Sequence, residues 1–141
     1  MTYSPEQLGD LIIAIYKELK TKTEKDLQAY GIGMGQLHIL MLFYAHHGSH
    51  FSQNDLVRSL NIDKGNISRN VKKLMDKNYL EQVPNHSKSY QLSAQGKQLK
   101  IDIMSTFISL HKSMTEGIEI SEQEQTMRIL RKIHTNLEEK Q

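Results

Sequence analysis

The stretch from Ser52 to Leu80, SQNDLVRSLNIDKGNISRNVKKLMDKNYL, admits few folds. Ser52 and, three residues on, Asp55 have the spacing of a capping box, with Asp in the usual Glu position. They predict a helix over Gln53–Leu60. Asn61-Ile62-Asp63 makes a tight turn. Asp63 then caps a second helix that runs to about Lys77, where Asn78 ends it and Leu80 returns to the core. On this second helix Ile67, Val71, Leu74 and Met75 gather on one side, while Gly65, Asn66, Arg69, Lys72 and Lys73 fall on the other. Such a helix can pack one face on a core and lay the other in a groove of duplex DNA, so the pattern predicts a helix-turn-helix.

The charge distribution agrees. The chain has 141 residues and a formal net charge of +2. Divided at residues 47 and 93, its segments carry −1, +3 and 0, so the positive excess surrounds the helix-turn-helix. Three excess charges alone describe an ordinary solvated face; their position points to a polyanionic partner. The absence of Cys excludes disulfides, thiolate metal ligands and thiol redox switching. The longest apolar run, Ile39 to Ala45, is too short to span a bilayer, and the N-terminus has no basic-then-apolar signal. A cytoplasmic protein is expected.

Around this centre the periodicity predicts helices. Residues 6–29 carry Leu8, Leu11, Ile12, Ile15 and Leu19 at helical spacing, with Ser4 as cap and Pro5 in the first position. Residues 34–47 are apolar around most of the circumference, which marks a central core helix. Two short extended runs, Leu80–Val83 and Ser89–Leu92, flank Pro84-Asn85-His86-Ser87 and predict a hairpin. Ser93 caps a long helix to about Glu116, with Leu99, Ile103, Phe107, Ile108, Leu110 and Met114 as its apolar positions. Gly117 ends it, and Ser121 with Glu124 has the capping-box spacing for a last helix. The fold class is therefore mostly α with a small β-hairpin wing. Residues 31–93 form a winged helix-turn-helix lobe, and residues 1–30 and 94–141 a helical dimerisation region, in one continuous domain. The terminal helices carry more apolar surface than one small winged domain covers, and a second copy is the simplest cover.

The N-terminal half of the reading helix offers Lys64, Asn66, Ser68 and Arg69 to base edges. Arg pairs bidentately with guanine and Asn with adenine, while Lys72 and Lys73 lie further along, at phosphate range. Gly65 either lets backbone approach the duplex or is merely tolerated in a first turn. Ser52, Gln53 and Asn54 open the preceding helix, where hydroxyl, amide and backbone N–H groups hold a phosphate; Ser52 also serves as an ordinary cap. At the hairpin tip His86 and Lys88 reach the adjacent minor groove or backbone.

Gln36-Leu37-His38-Ile39-Leu40, Asn54 to Leu60, Asp63 to Leu74, Asn78-Tyr79-Leu80-Glu81 and Leu92 to Lys97 together resemble the MarR (multiple antibiotic resistance regulator) family over nearly the whole chain. The resemblance implies an obligate homodimer of winged helix-turn-helix subunits. It implies binding to a palindromic operator as a regulator, in most cases a repressor, and release by a small ligand, often an aromatic acid. The chain departs from the family pattern in its wing, where Asn85, His86, Ser87 and Lys88 stand in place of an Asp-x-Arg, and in Gly33 and Leu37 of the second helix. The Cys-based redox branch is ruled out.

Tyr16, His38, Met41 and Arg69 are candidate contacts for such a ligand, although Tyr16 and Met41 equally suit a core. His38 matches a zinc-sensing position of some family members, but a zinc site needs three or four convergent ligands. His38 therefore reads better as a helix-interface residue, and no metal or cofactor is expected. The contrasting reading is a winged-helix adaptor that binds protein rather than DNA. The composition Asn66, Arg69, Lys72, Lys73 is unlike the core of a protein interface. No catalytic triad, phosphate loop or paired catalytic carboxylates is visible, which argues against an enzyme.

Overall fold

A computed structural model describes residues 5–138. Ser4, the expected first cap, lies outside them, as do residues 139–141 of the terminus Glu138–Gln141, where the sequence leads one to expect fraying. Contacts divide the chain into two compact units that meet in sequence between Ile103 and Met104.

In the first unit, α1 (Leu8–Leu27) has Gln7 as its N-cap, in extended conformation. Its first bond runs from Leu11 N–H to the Gln7 carbonyl at 3.0 Å, so Pro5 precedes the helix rather than opening it. Thr23 and Leu27 are buried, whereas Leu8, Leu11 and Ile15 of the anticipated stripe stay exposed. A short 3-10 turn (Gln28–Tyr30) follows, and Gly31, at φ 70°, breaks it. The next helix, α2 (Met34–Ala45), is the core helix that its apolar circumference predicts. Leu37, Ile39, Leu40, Phe43 and Tyr44 are buried, and only His38 and Ala45 of its residues are exposed.

Phe51–Ser52 forms a strand, β1, that the sequence pattern does not announce. Two residues are too few for alternation to register. Its place is set by the Phe51 ring, which stands edge-on to Phe43 at 5.0 Å. α3 (Gln53–Leu60) and α4 (Lys64–Asp76) then form the helix-turn-helix, with Asn61 at φ 52° in the turn. Leu56, Ile67, Val71 and Leu74 are buried between them and α2.

β2 (Leu80–Val83) and β3 (His86–Leu92) complete an antiparallel sheet of order β1-β3-β2. Leu80 faces Leu92, Gln82 faces Tyr90, and Phe51 of β1 also faces Tyr90. The wing turn is Pro84–Asn85, with Asn85 at φ 65°. His86 and Lys88 are therefore strand residues behind the tip rather than the tip itself. Asn tolerates the left-handed region, which lets the reversal close in two residues.

α5 (Ala94–Met114) begins where the sheet ends. Ser93 is buried; its hydroxyl accepts from Gly96 N–H at 2.9 Å and donates to the Asn78 carbonyl at 2.5 Å. The Tyr44 hydroxyl donates to the Gly96 carbonyl at 2.8 Å, and burial raises the pKa of this phenol.

The second unit holds the remainder of α5 and α6 (Ile120–Leu137). The cap of α6 lies two residues before the expected Ser121–Glu124 box. Gly117, at φ 76°, and a bond from Ile118 N–H to the Thr115 carbonyl reverse the chain early. Glu119 becomes the N-cap, its N–H held by the Glu122 carboxylate at 3.2 Å. Ile108, Ile120, Met127, Leu130 and Leu137 are exposed. Among the described residues, no helix is long and apolar enough to cross a membrane.

A Cβ built on Gly96 lies 2.0 Å from the Tyr79 carbonyl oxygen, a backbone atom that cannot swing aside. Gly96→Ala is expected to destabilise the fold by about 1–3 kcal/mol or more, as overpacked cores do. Thermal denaturation followed by circular dichroism checks this; an unchanged midpoint contradicts so close a contact.

Candidate nucleic-acid interface

The reading helix is sided as its sequence requires. Ile67, Val71 and Leu74 are buried, while Lys64, Gly65, Asn66, Ser68, Arg69, Lys72 and Lys73 are exposed. Among the described residues nothing packs over this outer face, so its polar groups are open to a partner.

At the start of α4 the exposed side chains are ordered by one another. Asp63 Oδ1 accepts from the backbone N–H of Asn66 at 2.9 Å, the expected N-cap bond. Its Oδ2 accepts from Asn66 Nδ2 at 2.6 Å, and Asn66 Oδ1 accepts from Arg69 Nη2 at 2.5 Å. These bonds from Asn66, with Arg69 adding attraction, hold the Asp63 carboxyl below the usual carboxylate range. Lys72 pairs with Asp76 at 3.6 Å on the same exposed surface, whereas Lys64 and Lys73 take part in no ion pair among the described residues.

At the start of α3 the capping box is complete. Ser52 Oγ accepts from Asp55 N–H at 3.1 Å, and Asp55 Oδ2 accepts from Ser52 N–H at 2.9 Å. The hydrogen bonds from Ser52 are the main cause that lowers the Asp55 pKa, with Arg58, 2.7 Å away, adding to it. Gln53 Nε2 donates to the Tyr90 hydroxyl at 3.4 Å, and Asn54 is exposed. Tyr90, which the sequence reading passed over, thus ties the first turn of α3 to the wing. Its only signal was its place in an alternating run. His86 and Lys88 are exposed on β3, in the stretch where its pairing with β2 shifts register between Gln82 and Val83.

Behind the outer face, Asn70 is half-buried, and its side-chain oxygen accepts from Gln36 Nε2 of α2. Gln36 is itself buried and takes the Gly33 N–H on its oxygen at 2.6 Å. A Cβ on Gly35 would lie 2.5 Å from the Asn70 amide, so the two helices meet across a missing side chain.

The residues weighed for a ligand are more dispersed. Tyr16 is 60% exposed on α1, His38 is exposed on α2, Met41 is half-buried there, and Arg69 is on the outer face of α4. A small cleft beside the sheet is lined by Phe43, His47, Ser49, Gln91, Leu92 and Lys97, and includes none of them. Among the described residues, no three or more His, Asp or Glu converge as a metal site requires.

Residues 30–88, which contain every candidate groove and phosphate contact above, match the sequence model of the MarR family. The winged helix-turn-helix lobe, rather than the whole chain, carries the MarR-family match. Among curated relatives it is 26% identical to the HTH-type transcriptional regulator BilQ of Clostridioides difficile (strain CD3), over 95% of this chain and 94% of that one. Among solved structures, a MarR transcriptional regulator from Methanosarcina mazei Go1 is similar at TM-score 0.75 and 26% identity. That match covers 94% of this chain and 96% of that one. The S. aureus MepR–DNA complex shares the fold at TM-score 0.76 and 23% identity, over 94% and 97% of the two chains. The MarR-family resemblance read from the motifs is thus borne out, as is the winged helix-turn-helix fold.

Both caps titrate with the same sign. The folded pKa values of Asp55 and Asp63 are depressed. Their stabilisation is therefore present above the ordinary carboxylate value, about 3.9, and lost as pH falls through the lower folded values. A chain carrying Asp55→Asn and Asp63→Asn is expected to lose less stability than the parent between pH of about 4 and 2. Urea unfolding at both pH values measures it; equal losses refute the assignment.

Proposed function

We propose that this chain is a MarR-family regulator and a homodimer that binds double-stranded DNA with sequence preference. α4 lies in the major groove, and the wing meets the flanking backbone or minor groove. The observation that carries this reading is the outer face of α4, where Asn66, Arg69, Lys72 and Lys73 are exposed directly opposite buried Ile67, Val71 and Leu74. Arg and Asn are the side chains that read guanine and adenine edges, and the lysines neutralise phosphates. The MepR relative of the same fold was solved in complex with DNA, which supports the assignment.

The dimer is inferred from apolar surface. Leu8, Leu11, Ile13, Ile15 and Tyr16 of α1, and Ile120, Met127, Ile129, Leu130 and Leu137 of α6, are each more than two-fifths exposed. Apolar faces of that extent on a monomer mark an interaction surface. Two-fold symmetry then sets two α4 helices into successive major grooves about 34–36 Å apart, and the operator is a palindrome. We further propose that the regulator represses and that a small aromatic acid releases it, with Tyr16, His38, Met41 and Arg69 as candidate contacts. The adaptor reading, in which the same lobe binds protein alone, predicts partner binding insensitive to salt and no affinity for duplex.

A fluorescence titration of the full chain with labelled random-sequence duplex at low and moderate salt separates the two. DNA binding gives affinity that falls steeply with salt, with a slope of about −0.9 per phosphate neutralised. Arg69→Ala is expected to cost about 1–3 kcal/mol on a preferred duplex and to relax preference at one position. Lys73→Ala should weaken binding to all duplexes alike and reduce the salt slope by about one. Full affinity in both variants removes α4 from the groove.

A further inference from the structure

Resting on the reading of α4 as the groove-facing helix, we propose that Asp63 is a specificity-determining positioning residue. It holds the Asn66 amide in one orientation and so fixes the order in which α4 offers donors and acceptors to base edges.

An N-cap carboxylate needs one oxygen for its cap. Asp63 uses Oδ1 for that purpose and spends Oδ2 on the Asn66 side chain, 2.6 Å away. The other end of the same amide accepts from Arg69 at 2.5 Å. A carboxylate only accepts hydrogen bonds and a guanidinium only donates them. A flipped amide would set oxygen against oxygen and N–H against N–H, so one orientation satisfies both neighbours. The three residues are spaced at i, i+3 and i+6, which aligns them along one strip of the helix. All three are exposed, so these bonds rather than packing impose the order. Gly65 leaves the strip clear: a Cβ there would lie 3.3 Å from both Arg69 Nη1 and Asp63 Oδ1.

The amide keeps one N–H and one oxygen lone pair for a partner, and the guanidinium keeps its remaining N–H groups. From the start of α4 onward the strip therefore offers donor, acceptor, then donors. Donor with acceptor matches adenine N7 and N6; paired donors match guanine N7 and O6. The ligand is a duplex whose half-site carries an adenine and a guanine read together. An amide free to flip would offer the reverse order as readily and blur the adenine.

A purely electrostatic role for Asp63 has the opposite signature. A carboxylate facing phosphates only repels them, so neutralising it tightens binding to every duplex. The test begins by recovering preferred duplexes from a random pool with the full chain. Affinity is then measured at one salt concentration on the preferred and on a scrambled duplex, for the parent, Asp63→Asn, Asn66→Ala and the double variant. Asn caps a helix as well as Asp does, and Asp63→Ser serves as a second capping variant. Circular dichroism verifies the helix in each.

The expected result is that Asp63→Asn lowers the ratio of preferred to scrambled affinity by about tenfold, within the range one lost base contact gives. Affinity for scrambled duplex stays level or rises. In the Asn66→Ala background the same substitution changes the ratio by less than about twofold, because Asp63 acts through Asn66. An unchanged ratio in both capping variants, or an equal fall with Asn66 already removed, overturns the inference. Failure of the parent to select any sequence overturns the groove assignment itself, before any substitution is made.

Discussion

The carbonyl of Tyr79 sits so close to the Cα of Gly96 that no side chain fits between them, and the placement of the wing depends on that contact. It joins the chain leaving α4 to the first turn of α5. Ser93 closes the junction by bonding the Asn78 carbonyl and Gly96 N–H, and its own N–H reaches the Tyr79 carbonyl at 3.1 Å. Tyr44 of α2 takes the Gly96 carbonyl, and the Tyr79 hydroxyl takes the Tyr30 carbonyl at 2.9 Å. Each bond alone contributes modestly, but a buried polar group left without its partner costs about 1–3 kcal/mol. The end of the reading helix, the root of the wing and the core helix are thereby fixed to one another.

Local chemistry made much of this legible. The caps at Ser52, Asp63 and Ser93 depend on residues within three positions, so their helices begin where the sequence says they do. The reading face followed from periodicity, because Ile67, Val71 and Leu74 leave the other side no core to bury. What escaped depends on distant partners. β1 exists because Phe51 finds Phe43 and Tyr90, which no pattern in two residues can encode. The cap of α6 falls at Glu119 rather than at the expected Ser121, because the turn at Gly117 reverses the chain early. The reach of β3 to His86 was hidden because Asn85 lets a reversal close sooner than four turn-forming residues suggest.

In the candidate interface the residue types were readable but their mutual arrangement was not. Asn66 and Arg69 stand out by chemistry and spacing; that Asp63 uses its second oxygen on Asn66 depends on rotamers. The exposed pairs Arg58–Asp55 and Lys72–Asp76 illustrate the same division. Such surface pairs add little stability in water. Their effect is on charge presentation, since a lysine already paired with a carboxylate gives up part of what it can offer a phosphate.

The meeting of α2 and α4 has a consequence for inheritance. Gln36 bridges Gly33 and Asn70, and the bare Cα of Gly35 lies beneath the Asn70 amide. A longer residue at 35 pushes the Asn70 amide away from Gln36, and loss of the amide at 36 strands its partner. Positions 35, 36 and 70 thus form a lock whose pins move only in concert. A lineage derived from this chain is expected to carry these three as one inherited unit.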